Sequence, residues 1–239
     1  MSSLKDEFSR FAHSYDSYSI IQAEVATMLV SMLPEKKYRQ IIDIGCGSGE
    51  VYKNVKKQQV SFEQFMALDS SAEMLYLHPS ANNIQKIHAD FNLDKAFEML
   101  ILKEKEKNIL LSSSALQWSK DLEFTLSSLA KKSNLALFAI FTANTFKTLH
   151  ETAELNSPIY TQKVLKKNIE KYYKASFETK KYRLHFTSVR EMFKYIKRSG
   201  VSGGGKRLSY KQTKHLMRYY PLDYLEFEVL FVKAEPLQN

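Results

Sequence analysis

The chain has 239 residues, 44% of them hydrophobic, enough for one domain with a sizeable core. Its one cysteine, Cys46, excludes an internal disulfide, and no apolar run approaches the roughly 20 residues of a membrane span. The net charge of +9 is concentrated between Glu151 and Arg218, where 17 basic residues stand against 5 acidic ones, so an acidic partner is expected for that segment. No charged-then-apolar leader opens the sequence, and a soluble, cytoplasmic protein is expected.

From Ser19 to Leu33, Ile21, Val25, Met28, Leu29 and Met32 recur at helical spacing, and Pro34 stops the helix. Ile41 to Gly45 reads as the first strand and Glu50 to Lys57 as the helix after it. A second strand ends at Asp69, a short helix holds Met74 and Leu75, and a third strand runs from Ile84 to Asp90. A helical piece is predicted near Asp94 to Lys105. Strand four follows over Ile109 to Ser112, then a helix over Asp121 to Lys132. Leu135 to Phe141 is a continuous apolar run, the pattern of a strand buried on both faces of a parallel sheet. The alternation then breaks. Lys147 to Lys171 is polar, basic and predicted helical, and Tyr182 to Phe186 resumes a strand. Val189 to Lys197 reads as a helix, Ser199 to Gly205 as a glycine-rich loop, Ser209 to Tyr220 as a helix and Leu225 to Val232 as the last strand.

The most informative segment is Ile41-Ile42-Asp43-Ile44-Gly45-Cys46-Gly47-Ser48-Gly49-Glu50. A strand, a glycine turn and a helix form the first unit of a doubly wound nucleotide site. In the dinucleotide fingerprint the third glycine comes one residue later, and pyrophosphate sits on the helix N-terminus. Here Glu50 opens that helix, and its carboxylate repels a pyrophosphate. A ligand with cationic groups and no phosphate, such as S-adenosylmethionine, suits an acidic turn. Asp69 lies about 20 residues past the glycines, where an acid bonds ribose hydroxyls. Asp90, at the end of strand three, is positioned to accept from an adenine amino group.

Asp43, the three glycines, Asp69 and Asp90 together resemble the class I S-adenosylmethionine-dependent methyltransferases. The flanks narrow the likeness. Arg10-Phe11-Ala12-His13-Ser14-Tyr15-Asp16, Gln22-Ala23-Glu24-Val25-Ala26, Ala115-Leu116-Gln117-Trp118 and Tyr220-Pro221-Leu222-Asp223-Tyr224 resemble the malonyl-acyl-carrier-protein O-methyltransferases of biotin synthesis. The likeness runs from about Leu4 to about Glu235, although Lys103 to Asn108 stands where that family carries an acidic Phe-Asp pair.

The resemblance implies a single α/β domain over residues 1–239, with a doubly wound, mostly parallel seven-stranded sheet and a helical cap. Residues 1–34 are expected to cover the site, and residues 147–207 to form a basic cap. It places S-adenosylmethionine against Asp43, Gly45, Cys46, Gly47, Asp69, Ser70, Met74, Asp90, Phe91 and Ser112. It also offers Tyr15, Gln117, Trp118 and Lys197 as contacts to the methyl acceptor.

Residue types limit that acceptor. Ser112-Ser113-Ser114-Ala115 lacks the Asn/Asp-Pro-Pro turn used for exocyclic amines, and no cysteine is placed to attack a pyrimidine. No metal-ligand cluster is evident. A carboxylate is already ionised at neutral pH, so it needs positioning and no catalytic base. A malonyl group on acyl carrier protein, which is acidic, matches both the resemblance and the basic segment. The same-class alternative is a free small acid such as trans-aconitate. In a different class stands an RNA-binding methyltransferase or module using Tyr172, Tyr173, Tyr182 and Tyr195 of the basic segment, although no nucleic-acid-binding motif accompanies them. No membrane partner is expected.

Overall fold

The computed structural model describes residues 19–102, 107–198 and 209–237, the side chains of 197 and 198 excepted. Seven strands form one sheet: β1 (Lys37–Ile44), β2 (Ser61–Asp69), β3 (Ile84–His88), β4 (Asn108–Ser113), β5 (Ala136–Phe141), β6 (Tyr173–His185) and β7 (Tyr224–Pro236). Their order is β3-β2-β1-β4-β5-β7-β6. Neighbours from β3 to β5 pair in parallel, while β7 runs antiparallel to both β5 and β6. The expected mostly parallel sheet is therefore present, with one antiparallel strand set into it.

Helices pack on both faces. Ile41 of β1 faces α1 (Ile20–Ser31) and α2 (Glu50–Lys57), while Ile42 and Ile44 face the core shared with α4 (Asp94–Glu98), α5 (Leu122–Ala130) and α7 (Gln162–Ile169). α3 (Ala72–Leu77) follows β2. On the α1 face, β7 carries α6 (Lys147–Thr152), α8 (Val189–Arg198) and α9 (Tyr210–Tyr219) through Phe146, Leu149, Met192 and Leu216. β1 is covered on both sides, which is why it reads as an apolar run without alternation. β1 pairs with β2 on one side and β4 on the other, so the loops leaving β1 and β4 diverge and open a crevice at the strands' carboxyl ends.

The segment from 147 to 207 departs from expectation. Lys147 to Lys171 is two helices, α6 and α7, with Pro158 in the stretch between them. Thr161 caps α7 by accepting from the Val164 amide. The strand expected at Tyr182 begins at Tyr173, so this segment supplies the sheet's edge as well as helices. Along β6 the residues alternate, with Tyr173, Ala175 and Phe177 turned inward and Lys174, Ser176 and Glu178 outward. Its basic composition hides that period of two. The helical piece expected to reach Lys105 ends at Glu98, and residues 103–106 lie outside the described residues, as do the lead at 1–18 and the glycine-rich loop.

β7 pairs with β5 only from Val229 to Ala234 but with β6 along its whole length. Its first half stands above the end of β5 and holds the chain leaving that strand. The buried Glu228 carboxylate accepts from Thr142 Oγ1 at 2.6 Å and from Asn144 Nδ2 at 2.9 Å, and Glu226 accepts from the Thr148 amide at 2.9 Å.

Candidate active site

A cavity of about 670 Å³ opens at the carboxyl ends of β1, β2 and β4. Its floor is the glycine turn. The amides of Gly45 and Cys46 both donate to the Leu68 carbonyl, at 2.8 and 3.0 Å, which presses the turn against the end of β2. Gly45 has φ +71°, and a Cβ there would lie 2.3 Å from the Ala115 Cβ, so only glycine lets the turn and the loop after β4 touch. Gly47 is open: no atom lies within 4 Å of where its Cβ would stand. Its amide donates to Asp69 Oδ2 at 2.9 Å, and the Ser71 amide donates to Asp69 Oδ1 at 2.8 Å. Burial raises the Asp69 pKa, against the lowering effect of these amides. Behind the turn, the Asp43 side chain is fully buried and neither carboxylate oxygen has a hydrogen-bond partner among the described residues. Burial first, and the Asp69 charge second, hold its pKa well above the usual carboxylate range.

Gln22 of α1, Ser70, Met74, Asp90, Phe91, Asn92, Ser113 at the end of β4, the chain from Ser114 to Lys120 apart from the buried Leu116, Pro158 and Tyr160 complete much of the wall. Tyr160 Oη donates to the Ser119 carbonyl at 2.7 Å, joining the segment before α7 to the loop after β4. Ser114 has φ +59°, a left-handed conformation that costs a non-glycine residue free energy. Four buried polar atoms on this wall lack partners among the described residues: Gln22 Oε1, Ser113 Oγ, Ser114 Oγ and Gln117 Oε1. Unpaired buried polar atoms are costly, and the four residues that carry these share the lining of one cavity. Glu50, Asp69 and Asp90 line the cavity, against Lys120 as the basic residue among its lining groups. Such a donor and charge set fits a ligand with cationic groups and hydroxyls and disfavours a pyrophosphate.

Comparison with known proteins agrees with this geometry. Residues 42–132 match the family model described as a methyltransferase domain. The chain is 27% identical to a malonyl-[acyl-carrier protein] O-methyltransferase of Bacillus cytotoxicus, over 90% of this chain and 81% of that protein. It is 26% identical to the protein of that name from Brevibacillus brevis, over 97% and 95%. The YcgJ protein of Bacillus subtilis superposes with a TM-score of 0.66 at 10% identity, covering 90% of this chain and 99% of that one. A Haemonchus contortus phosphoethanolamine N-methyltransferase 2, solved in complex with S-adenosyl-L-methionine, superposes at 0.59 with 14% identity, over 99% and 61%. In sequence and in fold, the chain is thus similar to methyltransferases.

Gly45, Cys46, Gly47, Asp69, Ser70, Met74, Asp90 and Phe91 meet on the cavity wall, and Gln117 and Trp118 line the same cavity. Two residues expected at the cofactor do not line it. Asp43 stands behind the turn, and Ser112 is fully buried, its hydroxyl donating to the Ile44 carbonyl at 2.8 Å and tying β4 to β1. The wall at this point is made by the next two serines, Ser113 and Ser114. Gln117 was expected as a donor to the acceptor substrate. Its Nε2 donates one of its two hydrogens to the Ser114 carbonyl at 2.7 Å, and its Oε1 is buried without a partner among the described residues. Tyr15 and the Lys197 side chain lie outside the described residues. Ser113, Ser114, Pro158 and Tyr160 were not foreseen as wall residues. Pro158, inside a stretch read as helix, was the available signal for the last two.

The cavity lining contains no histidine among the described residues. His78 is buried beside Gly49, and burial lowers its pKa. The Cys46 thiol is pushed well above its usual pKa by burial, then by Asp69 and Asp43, which removes it as a nucleophile near neutrality. No group of three or more potential metal ligands occurs among the described residues.

Proposed function

We propose that this methyltransferase transfers a methyl group to the free carboxylate of a malonyl thioester carried by acyl carrier protein, an early step of biotin synthesis. The observation that carries this reading is full-length similarity to proteins of that name, joined to a cavity whose described lining offers polar contacts but no histidine base and no reactive thiol.

The resident cofactor is S-adenosylmethionine, which when bound supplies an electrophilic methyl on a sulfonium. Asp69 takes the ribose hydroxyls on the lone pairs left free by the Gly47 and Ser71 amides. Asp43 and Glu50 provide negative charge at the glycine turn, and Asp90 and Phe91 hold the adenine. Gln117 Oε1 accepts from an N–H of the ligands. Ser113 and Ser114 have hydroxyls without partners among the described residues, and these hold one oxygen of the acceptor carboxylate while the other is aimed for attack. The acceptor is already ionised, so the chain's task is to align it and exclude water.

Incubation with labelled S-adenosylmethionine and malonyl-carrier, malonyl-coenzyme A, trans-aconitate or tRNA tests the reading. Base-labile label on malonyl-carrier is expected. Label on trans-aconitate or tRNA alone overturns it.

A further inference from the structure

We propose that helix α9 is the surface on which an acidic protein, the carrier of the thioester, docks. This inference rests on the function proposed above.

α9 is built to stand outside the core. Its N-terminus carries a complete capping box, in which Ser209 and Gln212 satisfy each other's backbone. Gln212 Nε2 also donates to the Ala153 carbonyl at 3.1 Å. Within the helix only Leu216 is buried. A ten-residue helix with so little tertiary burial is marginal by itself, so its caps preserve a surface that the core does not use.

That surface is basic and apolar together. Lys211, Lys214 and Arg218 follow one another at intervals of three and four, which puts them in one stripe along the helix. Tyr210, Met217 and Tyr219 are 84%, 43% and 55% exposed beside them. The Tyr219 ring is held in place, with the His215 ring 4.7 Å away and the Arg218 guanidinium 5.3 Å above it. No acid occurs between Ser209 and Leu222. Aromatic and methionine side chains flanking a charged stripe supply the anchors and the steering charge of a small protein interface. The stripe from Lys211 to Arg218 is about 10 Å long, on a helix of about 15 Å.

Its position also suits the site. α9 lies on the sheet face of α1, which contributes Gln22 to the cavity. Ala153, to which Gln212 bonds, is five residues before Pro158 on the cavity wall. Other basic residues of the 151–218 segment are placed differently. α7 buries Leu165 and Ile169 on the opposite sheet face, and its Lys166 lies 5.1 Å over the Phe177 ring. The β6 lysines flank a sheet edge, where charge opposes strand addition, and Lys180 and Lys181 pair with Glu178 and Glu228 at 3.3 and 3.9 Å. The basic segment is thus split between two faces, and on the face of α1 the helix α9 joins positive charge to the exposed Tyr210, Met217 and Tyr219.

The test is a variant carrying Lys211→Glu, Lys214→Glu and Arg218→Glu, with a second carrying Tyr210→Ser and Met217→Ser. Binding of malonyl-loaded acyl carrier protein is read by fluorescence anisotropy, and kcat/KM is compared for carrier-borne and coenzyme A-borne malonyl thioester at low and moderate salt. Both variants are expected to lose about tenfold or more in carrier binding and in kcat/KM on the carrier substrate. The charge variant is also expected to lose the salt dependence, while coenzyme A-borne substrate stays within about twofold. Unchanged carrier binding and salt response in either folded variant overturns the proposal, as does an equal loss on both substrates. If the wild type methylates neither thioester, the proposed function fails, and the anisotropy measurement alone judges the surface. Carrier binding that depends on α9 sustains it. Absence of carrier binding, with α9-dependent binding of a single-stranded RNA oligonucleotide, overturns it.

Discussion

The Gly47 amide donates a 2.9 Å hydrogen bond to the Asp69 carboxylate, so one acid at the end of β2 both fixes the glycine turn and faces the cavity. Asp69→Ala is therefore expected to cost more than its ligand contacts. Hydrogen bonds to a charged acceptor are worth about 1.5–3 kcal/mol each, so calorimetry with S-adenosylhomocysteine should show a loss of tenfold or more. Asp69→Asn is expected to do no better, because its NH₂ must oppose the Gly47 or the Ser71 amide. Unchanged affinity in both variants would remove Asp69 from the site.

Asp43 predicts a stability that depends on pH. Its folded pKa is raised, so the folded state holds the proton more tightly than the unfolded chain. That contribution is fully present below the ordinary carboxylate pKa of about 4 and is lost as pH climbs through the raised value. Asp43→Asn should match the wild type in acid and melt higher than it near neutrality, with no ligand present. The same substitution should weaken S-adenosylmethionine binding, because ionised Asp43 supplies charge to a cationic ligand. Wild-type affinity should accordingly rise with pH, with proton release visible in calorimetry across buffers. A variant with lower neutral-pH stability and intact affinity would refute this account.

Gly45 and Ala115 should be coupled. A Cβ on Gly45 meets that of Ala115 at 2.3 Å, on a backbone with φ +71°. Gly45→Ala is expected to destabilise by about 2–4 kcal/mol, combining overpacking with left-handed strain. Ala115→Gly in the same chain should recover the overpacking part and leave the strain. Urea unfolding of the four proteins of the cycle measures the coupling, and strict additivity would show that the contact is relaxed in solution.

The turn, its helix and Asp69 were legible because each rests on local chemistry: an apolar run, glycines at alternate positions, an acid at a strand end. What depends on neighbours was not. β6 reads as basic and featureless because its inward residues are interrupted by solvated lysines and become meaningful only against β7. The one-residue difference between Ser112 and its followers is set by which way β4 leaves the sheet. Gln117 looked like a donor by type, and the carbonyl that takes one of its two amide hydrogens belongs to Ser114, whose left-handed backbone no spacing announces.

The proposed carboxylate acceptor makes the chemical step insensitive to pH. With cofactor saturating, single-turnover rates on malonyl-carrier should be flat from about pH 6 to 8, since the acceptor is ionised throughout. The described cavity lining offers no histidine to impose a titration. A steep rise near neutrality would point to a general base and to another acceptor.

Ser114 allows stability and function to be separated at one position. Its φ of +59° costs a residue with a Cβ about 1–2 kcal/mol, which glycine does not pay. Its hydroxyl is buried on the cavity wall without a partner among the described residues, and it is here assigned to the acceptor carboxylate. Ser114→Ala keeps the strain and removes the hydroxyl, whereas Ser114→Gly removes both. The two variants should then differ in melting temperature, with glycine at or above the wild type once its greater unfolded-state entropy is counted and alanine not above it. They should agree in activity, each losing about tenfold to hundredfold in kcat/KM on the carboxylate substrate, because each lacks the same hydrogen bond to a charged group. Cofactor affinity measured by calorimetry should stay near wild type in both. If activity instead follows melting temperature, so that the glycine variant turns over normally, the hydroxyl holds no substrate and the strain at Ser114 serves only to shape the loop after β4.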